Sequence, residues 1–326
     1  MSLFASIYDA PAPAVAVEIA ANRVSAAVLD RRGGQPAVTA YAIEPLPPGA
    51  LVPSLTTINT HNRTQVATAL ARALDAVGRP RRIGLLIPDQ VARVSLVRFE
   101  KVPARAQDLD QLIRWQVRKA APFPIDEAQV AYIPGISAAD GQEFVVSVAR
   151  RAIVEEYEAL CSEGGAQAGI VDLSTFNVVN SVLAGTTAPQ ADWLLVHVCA
   201  DSTSIAIVRG PHVIFFRNRA ADADFSLADL VHQSAMYYED RLQGAGFSRV
   251  ILAGAGATDA DQARRSLEER LTTRVETVDP RGAASLVDRI AAAPPLLDAL
   301  APLVGLLLRD GRQSTVDSSQ VSGARG

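Results

Sequence analysis

The chain has 326 residues, 49% of them hydrophobic and 20% charged, which suits one large two-lobed protein or two domains with room for a sizeable core. A net charge of -4 and a pI near 5.6 leave no basic footprint for nucleic acid. Four scattered histidines give no metal-ligand spacing, and two cysteines, Cys161 and Cys199, give no disulfide framework, as in a reducing compartment. The first residues hold Asp9 and no basic head, so no secretory signal is expected. The apolar stretch 291–308 is broken by prolines and Asp298, short of the roughly 20 apolar residues a spanning helix needs.

In chain order, residues 15–19, 24–29 and 37–43 are apolar runs separated by tight turns, the last at Gly33-Gly34, and predict an antiparallel meander. A proline-rich loop, 45–53, leads to a helix capped by Asn62 and closed by Gly78. Residues 83–87 and 91–99 are β-branched-rich strands. Residues 109–120 predict a helix with Leu112, Ile113, Gln116 and Ala120 on one face, ended by Pro122 and Pro124. Strands at 128–133 and 143–148, a helix at 151–161, a strand at 168–173 and a helix at 174–183 follow, then a small polar linker, 185–190. The second half opens with strands at 193–199, 205–209 and 213–217. Ser226 and Asp229 have capping-box spacing for a helix running to about Leu242. A strand at 249–253 and helices at 260–271 and 296–308 complete it, and the tails 1–12 and 311–326 read as flexible.

Two stretches about 179 residues apart align, Val17 to Val28 with Val196 to Ile207. Each is an apolar strand, a small polar turn and a second apolar strand, with a third beyond a glycine turn. This predicts a duplicated fold whose halves each begin with a strand–turn–strand unit.

Two further segments carry a family resemblance. Leu112-Ile113-Arg114-Trp115-Gln116, then Ala121-Pro122-Phe123-Pro124-Ile125-Asp126-Glu127, resembles the signature of the PilM proteins of type IV pilus assembly. Ser234-Ala235-Met236-Tyr237-Tyr238, then Ser248 to Ala257, resembles that family's S-L-D-Y-Y helix and glycine loop. The resemblance implies an α/β, actin-like (ribonuclease H-like) duplicated fold. One lobe spans 13–187, with an inserted small α+β subdomain at about 99–151, and the second spans 191–309. It implies a cytoplasmic scaffold, peripheral to the inner membrane through its partners. Those are the N-terminal peptide of a PilN-like membrane protein and, indirectly, a PilO-like protein and the pilus motor ATPases, and homo-oligomers are open. The partner groove is expected near Arg114, Trp115 and Phe123.

Actin-like ATPases hold the phosphates of ATP between two D-x-G turns, with the aspartate positioning magnesium through water. The positions aligned here with the first turn are Glu18 for the aspartate, Ala20 for the glycine and Ser25 where the family often has lysine, with Asn22 also counted to the cleft, while the second turn reads His197-Val198-Cys199. Histidine is a poor ligand for magnesium, and a Cβ at Ala20 or Cys199 obstructs close approach to phosphate. Ser202 and Thr203 retain hydroxyls, and Gly254 and Gly256 suit an adenosine-side loop. The expectation is a vestigial cleft filled by side chains, with no catalytic residues and no certain cofactor. The alternatives are an actin-like protein that binds or hydrolyses ATP with Mg, or a type II secretion component. Gly254, Gly256 and Glu276 form part of a dinucleotide fingerprint whose third position is Asp259.

Overall fold

A computed structural model describes residues 13–186, 191–221, 226–254, 256–288 and 290–309. The expected tails, and residues 187–190 of the expected linker, lie outside them. The first sheet holds β1 (Val15–Ala20), β2 (Arg23–Arg32), β3 (Gln35–Pro45), β4 (Arg82–Ile87), β8 (Gln167–Leu173) and β14 (Ser285–Leu286), in the order β14-β3-β2-β1-β4-β8. The second holds β9 (Trp193–Val198), β10 (Ser202–Arg209), β11 (His212–Ala220), β12 (Arg249–Ala253) and β13 (Val275–Thr277), in the order β11-β10-β9-β12-β13.

Without β14, the two sheets share one strand order and one polarity. In each, a three-stranded antiparallel meander is followed by two strands parallel to its first. The hairpins match residue by residue. Val17 pairs with Ala26 and Glu18 with Ser25, as Val196 pairs with Ile205 and His197 with Ser204. The repeat read from sequence is therefore a repeat of fold.

Five layers follow from the period-2 alternation of the strands. On the outer side of the first sheet, α1 (Arg63–Ala76) and α3 (Arg151–Glu163) pack on Val15, Val17 and Ile19. The inner side meets α7 (Pro294–Leu307) through Ala16, Ala27 and Leu86. The inner side of the second sheet, Trp193 and Leu195, meets α4 (Ser174–Gly185) through Val178, Val179 and Val182. Its outer side, Leu194 and Val196, is covered by α5 (Leu227–Leu242) and α6 (Gly256–Leu271). The helices α4 and α7 are sandwiched between the sheets. They cross so closely that a Cβ at Gly305 would overlap the Asn177 carbonyl.

Asn62 caps α1 by accepting from the Gln65 amide at 3.2 Å, and Ser226 caps α5 by accepting from the Asp229 amide at 3.1 Å. Three expectations change. The stretch 285–307, assigned to the second lobe, returns to the first, where β14 extends β3 and α7 buries Ala16 and Leu86. Apolar periodicity reveals a helix but not which of two apolar sheets it covers. The inserted subdomain reaches back to Ala92. Its sheet, order β5-β7-β6, holds β5 (Ala92–Phe99), β6 (Ala128–Ala138) and β7 (Gly141–Arg150). Its helix α2 spans Ala106–Val117, because a polar first turn with Asp108 suits a helix N-terminus without showing apolar periodicity. The short strands β13 and β14 have no counterpart in the sequence reading.

Candidate functional site

Alternation along β1 and β9 decides what faces the space between the sheets. Val15, Val17 and Ile19 point outward, so Glu18 points inward; Leu194 and Val196 point outward, so His197 points inward. These repeat-equivalent residues converge on the N-terminus of α4.

Glu18 is 2% exposed. It accepts from Arg23 Nη2 at 2.9 Å and from Ser174 Oγ at 2.8 Å, while Arg23 Nε donates to Ser25 Oγ at 3.1 Å. A second carboxylate, Asp89, lies in the tight turn after β4 and is also buried. It accepts from the Thr175 amide at 3.2 Å, from the Thr175 hydroxyl, and from Ser204 Oγ at 2.6 Å. Leu173 supplies no side-chain cap to α4, so Asp89 fills the anion position of that helix N-terminus from another element. Ser204 also accepts from Asn218 Nδ2 at 2.9 Å. The bond from Ser204 to Asp89 ties the second sheet to the first, and Gln90 adds a second tie through the Asp201 carbonyl at 3.2 Å.

His197 Nδ1 lies 2.8 Å from Thr175 Oγ1. The threonine has one proton and gives it to Asp89, so the imidazole carries its proton on Nδ1 and donates to the threonine oxygen. Burial lowers the His197 pKa below its ordinary 6.5, against the opposing pull of Asp89 and Glu18. The ring is therefore neutral at pH 7. Burial also pushes the Cys199 thiol well above its usual range, with Asp89 adding to the effect, so it stays protonated.

Gly254 adopts φ +78°, and a Cβ there would collide with the Val198 carbonyl and reach 3.0 Å from His197 Cδ2. Its N–H donates to Asp298 Oδ1 at 3.1 Å. Burial raises the Asp298 pKa, against the lowering effect of that hydrogen bond.

The residues expected at a nucleotide cleft are thus partly gathered. Glu18 and Gly254 border the node. Ala20 closes β1 half-buried, and Asn22 sits exposed in the hairpin turn. Ser202 and Thr203 open β10, paired with Ala220 and Arg219. Gly256 begins α6. Three donor sets that would serve a magnesium–phosphate group have protein partners instead. The Glu18 carboxylate holds Arg23 and Ser174, the α4 N-terminus holds Asp89, and the Gly254 amide holds Asp298. In this arrangement all three are occupied by protein groups. Glu276, the would-be ribose acceptor of a dinucleotide site, is paired with Arg249 at 2.7 Å. Sequence reasoning missed Asp89, Ser174, Thr175, Asn218 and Asp298. A polar residue just past an apolar strand and Pro88, and hydroxyls opening a helix, were the available signals.

A second feature lies beside the node. A mainly apolar cavity of about 360 Å³ opens between the inserted sheet, the first lobe and the start of β11 in the second. Its walls include Ala131, Val145, Leu173, Phe176, Val179 and His212. The edge strands β6 and β8 both border it, and an ion pair between Asp172 and Arg309, 2.7 Å, closes one side. Phe176 on its wall stacks on Phe216 of the second lobe at 4.9 Å. Of the expected partner residues none lines it. Alternation along β7 sends Val145 toward the cavity, while Phe144, Val146 and Val148 face Ile113 and Val117 of α2, with Phe123 packed against that same cluster. Arg114 pairs with Asp110 at 2.7 Å, and Trp115 is 58% exposed.

Among the described residues no helix is long and apolar enough to cross a membrane. The family model for type IV pilus assembly protein PilM matches residues 16–240. Among solved structures, the PilM–PilN type IV pilus biogenesis complex aligns with a TM-score of 0.78 at 18% identity, over 91% of this chain and 98% of that one. A Bacteroides thetaiotaomicron protein with an actin-like ATPase fold and unknown function aligns with a TM-score of 0.49 at 8% identity, over 85% and 94%. The cytoplasmic domain of EpsL, an inner-membrane component of the Vibrio cholerae type II secretion system, aligns with a TM-score of 0.43 at 12% identity, over 73% and 80%. Through a family-model match that takes in more than half its length, this chain belongs to the type IV pilus assembly protein PilM family.

Proposed function

We propose that the chain is a docking scaffold of the type IV pilus assembly platform and that its interlobe site does not hydrolyse ATP. The observation that carries this reading is the polar node, in which Glu18 and Asp89 are spent on Arg23, Ser174, Thr175 and Ser204 rather than left for a metal. Closed this way, the node holds two lobes in one relation.

The scaffold's partner is a PilN-like membrane protein, and the solved PilM–PilN complex supports that choice. We place its N-terminal peptide in the apolar groove rather than on the surface of Arg114, Trp115 and Phe123. A strand edge offers main-chain hydrogen bonds to an extended peptide, and an apolar wall receives alternate side chains. Two such edges, β6 and β8, border this groove. Through that partner the protein sits at the cytoplasmic face of the inner membrane, in reach of a PilO-like protein and the motor ATPases.

The test has two arms. The pure protein is assayed for Mg·ATP turnover and for a Mg·ATP-dependent melting shift. A labelled N-terminal peptide of the PilN-like protein from the same genome is titrated by fluorescence anisotropy. Absence of turnover is expected, together with saturable peptide binding that weakens about tenfold or more in Ala131→Arg, an exposed groove-wall position. Turnover abolished by Glu18→Gln overturns the scaffold reading, and peptide binding indifferent to Ala131→Arg overturns the groove.

A further inference from the structure

The chain holds 31 basic residues, of which only Lys101 and Lys119 are lysines. Both flank α2, and both are exposed. Near the C-terminal end of that helix Trp115 projects to solvent, 58% exposed, with the Arg118 guanidinium over its ring at 5.4 Å. The other tryptophan, Trp193, is fully buried. The helix buries Ile113 and Val117 against the small sheet, so helical geometry turns Trp115 and Arg118 away from the body. The partner groove lies on the opposite face of that sheet.

Arg118 and Lys119 meet no carboxylate at salt-bridge distance among the described residues, whereas Arg114 is held by Asp110. From Glu100 to Lys119 the segment carries five basic residues against three acidic ones, on a chain whose net charge is -4. Asp108, on the same outward face, lies two helical turns from Trp115, about 10 Å along the axis and beyond a Debye length in physiological salt. The end of the helix is therefore locally cationic.

We propose that this end of α2 is a membrane contact, in which Arg118 and Lys119 meet anionic lipid headgroups while Trp115 enters the interfacial layer. Three properties favour a lipid surface over a protein pocket as the occupant. Tryptophan has the amphipathic ring that settles at the headgroup level. Lysine carries a hydrated point charge on a flexible stem, which suits mobile headgroups, where the rest of the chain uses arginine for fixed ion pairs. The patch is the outer side of a helix and offers no concavity to grip a peptide. One tryptophan and a few cations bind weakly alone, but a second attachment raises the effective affinity of a protein already tethered by a partner.

The full chain is mixed with vesicles of phosphatidylcholine alone and of phosphatidylcholine with phosphatidylglycerol, and followed by flotation and tryptophan emission. Because Trp193 is buried, acrylamide quenching of the unsubstituted protein reports on Trp115, and Trp193→Phe isolates it where that variant folds. The expected result is flotation with anionic vesicles only, a blue shift of emission and several-fold protection from acrylamide. All three fade at high salt and fall about fivefold or more in the Arg118→Glu/Lys119→Glu double variant. No flotation at low salt, flotation equal on both vesicles, or flotation unchanged in the double variant overturns the proposal. So does a blue shift without vesicles that grows with protein concentration, which assigns the patch to a second copy. A blue shift produced by the PilN-like peptide alone likewise overturns it.

Discussion

Replacing Glu18 with glutamine asks whether this carboxylate belongs to an ion pair or to a metal site. The change preserves volume and removes charge. Glu18 receives two charge-assisted hydrogen bonds, at 2.9 Å from Arg23 and 2.8 Å from Ser174. Hydrogen bonds to charged groups contribute about 1.5–3 kcal/mol each, and breaking a fully buried pair costs about 3–5 kcal/mol. Arg23 keeps 24% of its side chain exposed, so water recovers part of its charge, and the expected loss falls to about 2–3 kcal/mol. Arg23→Gln should cost more, about 3–5 kcal/mol, because it leaves the buried carboxylate without its counter-charge and with Ser174 as its remaining charge-assisted partner. In the double variant the two losses should overlap by about 1–2 kcal/mol. Urea unfolding, followed by circular dichroism and by the emission of buried Trp193, gives all three values. A carboxylate kept free for magnesium predicts the opposite sign, since neutralising an unpaired buried charge stabilises the fold. Glu18→Gln within about 0.5 kcal/mol of the parent, or strict additivity with Arg23→Gln, refutes the ion-pair reasoning.

Asp89→Ala strips the α4 N-terminus and two hydroxyls of their acceptor, and about 3–5 kcal/mol should be lost, with faster hydrogen exchange at the Thr175 amide and along β10. Exchange unchanged in β10 would show that Asp89 does not tie the lobes together. Gly305→Ala drives a methyl group into the Asn177 carbonyl at the α4–α7 crossing and should lower the melting temperature by several degrees, as overpacking costs about 1–3 kcal/mol; an unchanged melting temperature contradicts that packing. His197 has a folded pKa below 6.5, so as pH falls through 6.5 the unfolded chain takes up a proton that the fold resists. Stability should therefore fall on acidification, and His197→Gln should show a smaller loss in melting temperature between pH 7.5 and pH 5.5. Equal losses in parent and variant would exclude this linkage.

The repeat was legible because strand pairing at period 2 leaves the same apolar signature in both halves, down to the match of Glu18 with His197. What those residues do was legible only as an expectation that side chains fill the cleft. Their partners are far away in sequence: Ser174 lies 156 positions from Glu18, and Ser204 115 from Asp89. Nothing local in the sequence reveals such pairings. Helix α7 was visible as an apolar run, yet its assignment to the second lobe failed because it is buried nearly all round, and such a run does not state which sheet it meets. Trp115 illustrates the reverse difficulty. Its side of α2 could be read from helical spacing, but whether anything covered that side required the fold.

The return of β14 and α7 to the first sheet has a consequence for the order in which the chain takes shape on the ribosome. The second sheet is drawn wholly from residues between Trp193 and Thr277, whereas the inner face of the first waits for residues 294–307. The half made later thus has its own strands complete earlier, while Ala16, Ala27, Val38 and Leu86 remain bare until residues 294–307 have been made. Such a nascent intermediate presents an apolar sheet face to the chaperones around it, and a chain cut short before residue 294 would keep that face bare.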